Sequence, residues 1–123
     1  MSRPIKFRAW DIEENRMRFD ILIPPPDDLS DPHEYWIYIG STGEHGYIDR
    51  KRIILMQFTG LKDKTGKEIW EGDVLGDDED FKAAVEFHDG AFHWDRFALA
   101  GLNIKAGGLE VLGNVHENRD ILK

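Results

Sequence analysis

The chain has 123 residues and a formal charge of −8, from 16 lysines and arginines against 24 aspartates and glutamates. That length fits one domain, or one with a small appendage, and excludes two large ones. With no cysteine, disulfide scaffolds, thiol catalysis, iron–sulfur clusters and thiolate zinc sites are excluded as well. Hydrophobic residues make up 41% of the chain, with seven Phe, four Trp and three Tyr, which argues against disorder throughout. The negative total works against nonspecific DNA binding but still permits a local basic face. Apolar runs such as Ile53-Ile54-Leu55-Met56 fall far short of the roughly 18 residues a membrane span needs, and no basic start precedes an apolar stretch. The expectation is a soluble, cytosolic protein with no membrane partner.

The first predicted element alternates, with Ile5, Phe7 and Ala9 on one side and Lys6, Arg8 and Trp10 on the other, a period of two that means a strand. Asp11 to Asn15 can turn, and the pattern resumes with Met17, Phe19 and Ile21 opposite Arg16, Arg18 and Asp20. A hairpin over about residues 4–22 is predicted. Pro24-Pro25-Pro26, with Asp27, Asp28, Asp31 and Pro32 after it, lacks the amide donors a sheet needs and predicts a loop of about ten residues. Tyr35 to Ile39 is aromatic and β-branched, hence a third strand, closed by a turn-rich stretch from Gly40 to Gly46. Ile53 to Thr59 and Glu68-Ile69-Trp70 are strands around a Gly60 to Lys67 turn segment, and Val74-Leu75 follows a bend at Glu71-Gly72-Asp73.

Residues 77–88 fit two periods. Phe81, Ala84, Val85 and His88 suit a helix, whereas Ala83, Val85 and Phe87 suit a strand. Asp89-Gly90 decides for the strand, because that dipeptide is a strong two-residue hairpin signal, with Ala91 to Trp94 as the return. Leu109 to Val115 is the last strand, and Asn118 to Leu122 gives at most one helical turn. Many short strands at close spacing with glycine turns predict a mostly β fold, a small barrel or sandwich.

The run Leu55-Met56-Gln57-Phe58-Thr59-Gly60-Leu61-Lys62-Asp63-Lys64-Thr65-Gly66-Lys67-Glu68-Ile69-Trp70-Glu71-Gly72-Asp73-Val74 resembles the signature of the YopX family of phage and prophage proteins. Lys6 to Asp11, Val85 to Phe92 and Val111 to Asn118 resemble three further blocks of that family, in order and over nearly the whole chain. The resemblance implies a β-rich fold whose N-terminal hairpin region, 1–52, joins an SH3-type barrel over 53–123, the two packed as one structural unit. It also implies a phage or prophage origin, hence the host bacterial cytoplasm, and it brings no catalytic residue and no cofactor. The segment after Val74 is unusually acidic for that family, and Arg119-Asp120 stands where the family often has a proline.

Two constellations carry candidate chemistry. If Asp89-Gly90 is the hairpin turn, Glu86, His88 and His93, with Asp95 near them, share one face, and two imidazoles with a carboxylate are ligand types for Zn²⁺ or Mn²⁺. No tight ligand motif supports that use, and the favoured reading is a solvated face opposite a core face of Val85, Phe87, Phe92 and Trp94. The first hairpin sets Lys6, Arg8, Arg16 and Arg18 outward beside Trp10, a combination suited to tracking a phosphate backbone and stacking a base. The acidic neighbours Asp11, Glu13, Glu14 and Asp20 oppose it. Asp77-Asp78-Glu79-Asp80 lacks the EF-hand ligand spacing, and Gly60, Gly66 and Gly72 match no phosphate loop. No nucleophile elbow or zinc-protease helix appears, and the serines, Ser2, Ser30 and Ser41, fall in the terminus or in loops. The expectation is a non-enzymatic binding module for a host or phage protein, able to self-associate through strand edges or exposed aromatics. A nucleic-acid binder and a metal-dependent enzyme are the alternatives.

Overall fold

A computed structural model describes residues 6–21, 34–39 and 44–122, with side chains described for 6–19 and 51–122. The proline-rich stretch and all three serines lie outside the described residues. Eleven strands follow one another as β1 (Phe7–Asp11), β2 (Arg16–Ile21), β3 (Glu34–Ile39), β4 (Glu44–Asp49), β5 (Ile53–Lys62), β6 (Glu68–Trp70), β7 (Asp73–Gly76), β8 (Lys82–His88), β9 (Ala91–Trp94), β10 (Phe97–Ala98) and β11 (Glu110–Asn114). Short 3-10 turns lie at Arg50–Arg52 and Leu99–Gly101. The fold is all-β, as the short punctuated segments predict, and residues 82–88 of the ambiguous segment are strand. No helix among the described residues is long and apolar enough to cross a membrane. The chain divides into two compact units, Lys6–Gln57 and Phe58–Lys123.

In the first unit β1 runs antiparallel between β2 and the Ile53–Gln57 part of β5, with Ala9 opposite both Arg18 and Leu55. A central strand has neighbours on both edges, and here both of its faces are covered too. Ala9 packs with Ile53, Phe7 and Leu55, while Arg8 and Trp10 are only 5% and 4% exposed. The outward placement expected for Arg8 and Trp10 is therefore wrong. Alternation reports that two faces exist; it does not report whether the second is covered, and an arginine stem or an indole ring is apolar enough to be buried. β3 pairs with β4, from Glu34 with Asp49 to Ile39 with Glu44. The sequence reading gave part of that return strand to a turn, because Gly46 sits inside it.

The second unit holds a five-stranded antiparallel sheet in the order β10-β9-β8-β7-β11. Ile69, Leu75, Val85, Phe92, Trp94, Leu99 and Leu109 form its core, each large apolar side chain contributing roughly 1.5–3 kcal/mol on burial. The indole of Trp94 donates to the Leu75 carbonyl at 3.0 Å, which satisfies its buried N–H. Asp89 and Gly90 have φ of 51° and 79°, both in the left-handed region that a type I′ hairpin turn demands. The resulting register is the predicted one, with Val85, Glu86, Phe87 and His88 opposite Trp94, His93, Phe92 and Ala91. β10 was not anticipated; Asp95 takes φ of 56° without the glycine that would signal a tight turn.

Candidate functional site

The hairpin cations come first, because the charges of Arg16 and Arg18 are already committed to ion pairs. Asp11 closes the β1–β2 turn and is fully buried. Its Oδ1 accepts from the Glu13 and Glu14 amides, each at 3.1 Å, and from Arg52 Nε at 3.1 Å. Its Oδ2 accepts from Arg18 Nε at 2.8 Å and from Arg52 Nη2 at 3.0 Å. Burial by itself raises the Asp11 carboxyl, yet the hydrogen bonds from Arg52, Arg18 and the Glu14 amide outweigh it and hold the group well below the ordinary carboxylate range. The same contact raises Arg52 above its ordinary value. Glu14 takes Arg18 at 2.9 Å and Arg16 at 2.8 Å. Of the five predicted phosphate-tracking residues, Lys6 is exposed, Arg8 and Trp10 are buried, and Arg16 and Arg18 are ion-paired. The hairpin therefore presents a closed network, with Arg52 as the member that sequence reading missed; it lies 41 positions from Asp11.

The second predicted constellation is brought together, but not as a chelate. His88 and His93 stack with ring centroids 3.8 Å apart and planes 9° from parallel. His88 Nδ1 lies 3.3 Å from Asp89 Oδ2, and His93 Nδ1 lies 3.2 Å from the Ala91 carbonyl. The lone pair of an imidazole lies in its ring plane, so two parallel rings aim their nitrogens side by side instead of converging on one ion. Glu86 faces His93 across the ladder, yet among the described residues no three His, Cys, Asp or Glu gather as a metal-holding group. Phe87, expected in the core, is 49% exposed: the last three residues of β8 are all exposed, next to the hairpin turn.

The family-signature turn builds a third feature. Asp63 is 2% exposed; its Oδ1 accepts from the Thr65 amide, the Thr65 hydroxyl and the Lys67 amide at 2.8, 2.7 and 2.9 Å. Its Oδ2 accepts from the Val111 amide at 2.9 Å, 48 positions away. Burial raises this carboxyl too, and the Val111, Thr65 and Lys67 hydrogen bonds overcome it, holding the group below its ordinary range. The turn thereby covers the edge of the sheet. The Val111 amide is taken by Asp63, the Leu109 carbonyl by the Lys64 amide at 2.9 Å, and the Asn114 amide by Asn118 Oδ1 at 3.1 Å. An edge strand so capped offers few groups for pairing with another chain. Beside it lies a cleft of about 310 Å³, floored by Gly76 and Gly108 and lined by Lys64, Asp77, Asp80, Lys82, Glu110 and Leu112. Lys64 Nζ stands 3.8 Å from Asp78 and 3.7 Å from Glu110. The lining thus carries both amines and carboxylates.

The fourth feature is an aromatic margin on the sheet. Phe81, Phe87 and Phe97 are 43%, 49% and 45% exposed. Phe81 meets the Trp94 ring edge-on at 5.2 Å, Phe87 meets Phe92 at 5.0 Å, and Phe97 is the ladder partner of Trp94. Alternation puts Phe87, Phe92 and Trp94 on one face of the β8–β9 pair, so buried rings anchor the exposed ones.

With this geometry in hand, the chain can be set against known proteins. The family model described as YopX protein matches residues 6–123. The chain belongs to the YopX family. Among solved structures, the crystal structure of protein EF1440 from Enterococcus faecalis is similar over 99% of this chain and 100% of that one, at 31% identity and a TM-score of 0.72. No curated protein matches. The YopX signature run contains Asp63 and its turn, so the most recognisable stretch of the sequence is the one that closes the β11 edge.

Proposed function

We propose that this YopX protein is a non-enzymatic interaction module of phage or prophage origin, working in the host bacterial cytoplasm by binding another protein. The observation that supports this most is the aromatic margin at Phe81, Phe87 and Phe97, half-exposed on a sheet whose β11 edge is capped. Half-exposed aromatics anchored on buried ones are a usual composition of protein-binding surfaces, where area and rigidity come at small entropic cost. The capping of β11 favours a contact through side chains over one through added strands. An SH3-type closure of the C-terminal sheet belongs to this reading and is compatible with the β10-β9-β8-β7-β11 order.

The test is affinity capture from induced or infected host cells, with sedimentation velocity on the purified chain. A reproducible protein retained by wild type, or self-association of the chain, supports the reading. Turnover of any substrate that vanishes on replacing one side chain overturns it.

A further inference from the structure

We infer that Asp89 is a covalent modification site: it isomerises to L-isoaspartate through a cyclic imide with Gly90, and the product is a substrate for a carboxyl methyltransferase that uses S-adenosylmethionine. This goes beyond the interaction reading and does not depend on it. Asp89-Gly90 is the one Asp-Gly or Asn-Gly dipeptide in the chain. Ring closure joins an aspartate's Cγ to the next backbone nitrogen, and a side chain on that next residue obstructs the approach. Among the described residues, four besides glycine take a positive φ: Asn15, Asp80, Asp89 and Asp95. Arg16, Phe81 and Arg96 follow three of them, whereas Gly90 follows Asp89. Nothing lies within 4 Å of where a Cβ on Gly90 would sit, and the Asp89 side chain is 92% exposed.

The turn can also hold the imide. The five-membered ring ties ψ of the aspartate to about −120°, which with a positive φ is the first central position of a type II′ turn. Asp89 already has a φ of 51°. Rotating the peptide plane between Asp89 and Gly90 converts the type I′ turn into type II′, the other connection that suits a two-residue hairpin. Gly90 then moves to a negative φ, which a residue without Cβ adopts as readily. The strands need not part for the ring to form.

His88 supplies a proton. Its Nδ1 lies 3.3 Å from Asp89 Oδ2, the oxygen that has to leave, so the imidazolium is placed as a general acid. Gly90 N attacks Asp89 Cγ, the Cγ–Oδ2 bond breaks, and Oδ2 departs as water with the amide proton and the proton from His88. A water molecule then opens the ring. Attack at Cγ restores aspartate, attack at the main-chain carbonyl carbon gives isoaspartate, and either returns the proton to His88. In the isoaspartyl form the main chain runs through Cβ and Cγ and is one atom longer, with a free carboxylate on Cα. A two-residue turn has no slack for that atom. The pairing of His88 with Ala91 and the stacking of His88 on His93 are therefore lost, while Val85 and Trp94 stay in the core. The new carboxylate takes a methyl group from the sulfonium of S-adenosylmethionine, which leaves as S-adenosylhomocysteine.

The experiment ages the full chain for weeks in warm neutral buffer and digests it with trypsin. The peptide spanning residues 83–96 is then resolved by chromatography and electron-transfer fragmentation. It holds both Asp89 and Asp95, so Asp95 is the internal control. Isoaspartate is expected at 89 and not at 95, preceded by a form lighter by one water. The aged chain is expected to accept labelled methyl from S-adenosylmethionine with purified isoaspartyl methyltransferase, and the fresh chain to accept none. Asp89→Asn, which keeps the hairpin turn preference and has the better leaving group, converts faster. His88→Gln keeps a donor beside Oδ2 but no transferable proton, and slows conversion about tenfold or more. In the isomerised fraction, cross-strand NMR contacts between His88 and Ala91 disappear and those between Val85 and Trp94 persist. Absence of isoaspartate at 89, or equal amounts at 89 and 95, overturns the inference. An unchanged rate in His88→Gln overturns the proton donor, and intact His88–Ala91 contacts after isomerisation overturn the loss of the turn.

Discussion

Asp11 in one unit of the molecule and Asp63 in the other are each buried in a hydrogen-bonded hub, and the two solve the same problem differently. Asp11 is neutralised by charge: two guanidiniums, Arg18 and Arg52, reach its oxygens, and its turn adds two amides. Asp63 has no cation on it among these hydrogen bonds; three backbone amides and one hydroxyl hold it. Both carboxyls are held below their ordinary range, so oriented amide dipoles can do for a buried anion what guanidiniums do. The difference lies in what each hub secures. The Asp11 hub ties a hairpin turn to side chains from β2 and from the turn before β5. The Asp63 hub ties a turn to the backbone of β11 and closes that edge.

The comparison yields three predictions. The largest effect comes from protonating both hubs together. Each folded carboxyl sits below the 3.8 of an ordinary aspartate, so the unfolded chain takes up protons first. The stabilisation is complete above the ordinary carboxylate range and drains away as pH falls from about 5 through 4 and on toward the folded values. Thermal melts from pH 7 to pH 2.5 are expected to show a plateau followed by a steep loss, and a flat profile breaks the comparison.

Next is Asp11→Ala, which removes the buried acceptor of two guanidiniums and two amides while leaving Arg18 and Arg52 their Glu14 and Glu13 pairs, and is expected to cost about 2–4 kcal/mol by urea denaturation. A loss under about 1 kcal/mol would mean that the guanidiniums find water at no cost. The smallest is Asp63→Asn. The amide oxygen keeps the Thr65 and Lys67 donors, but its NH₂ group then faces the Val111 N–H, two donors without an acceptor. The expected loss is about 1–3 kcal/mol, with faster amide exchange at Val111 as the local signature. If Asp63→Asn costs more than Asp11→Ala, the amide cradle is the stronger of the two hubs.

The sequence disclosed the hairpin at Asp89-Gly90 because a short turn fixes register by local geometry alone, and all four facing pairs follow from it. It disclosed the candidate histidine face for the same reason. It did not disclose that Arg8 and Trp10 are buried, since that depends on what covers the far face of β1. Nor did it disclose the Asp11 hub: Arg52 is 41 positions away, and no local pattern distinguishes a carboxylate that balances a surface from one that collects two guanidiniums.

Strand identity, turn positions and the YopX resemblance were thus present in the order of residues, because backbone preference and alternation act over a few positions. Burial of Arg8 and Trp10 on β1, the stacking of His88 on His93, the capped β11 edge and the exposure of Phe87 were decided by tertiary structure. These depend on which distant segments arrive beside a residue, and burial, ion pairing and hydrogen bonding are properties of that arrival.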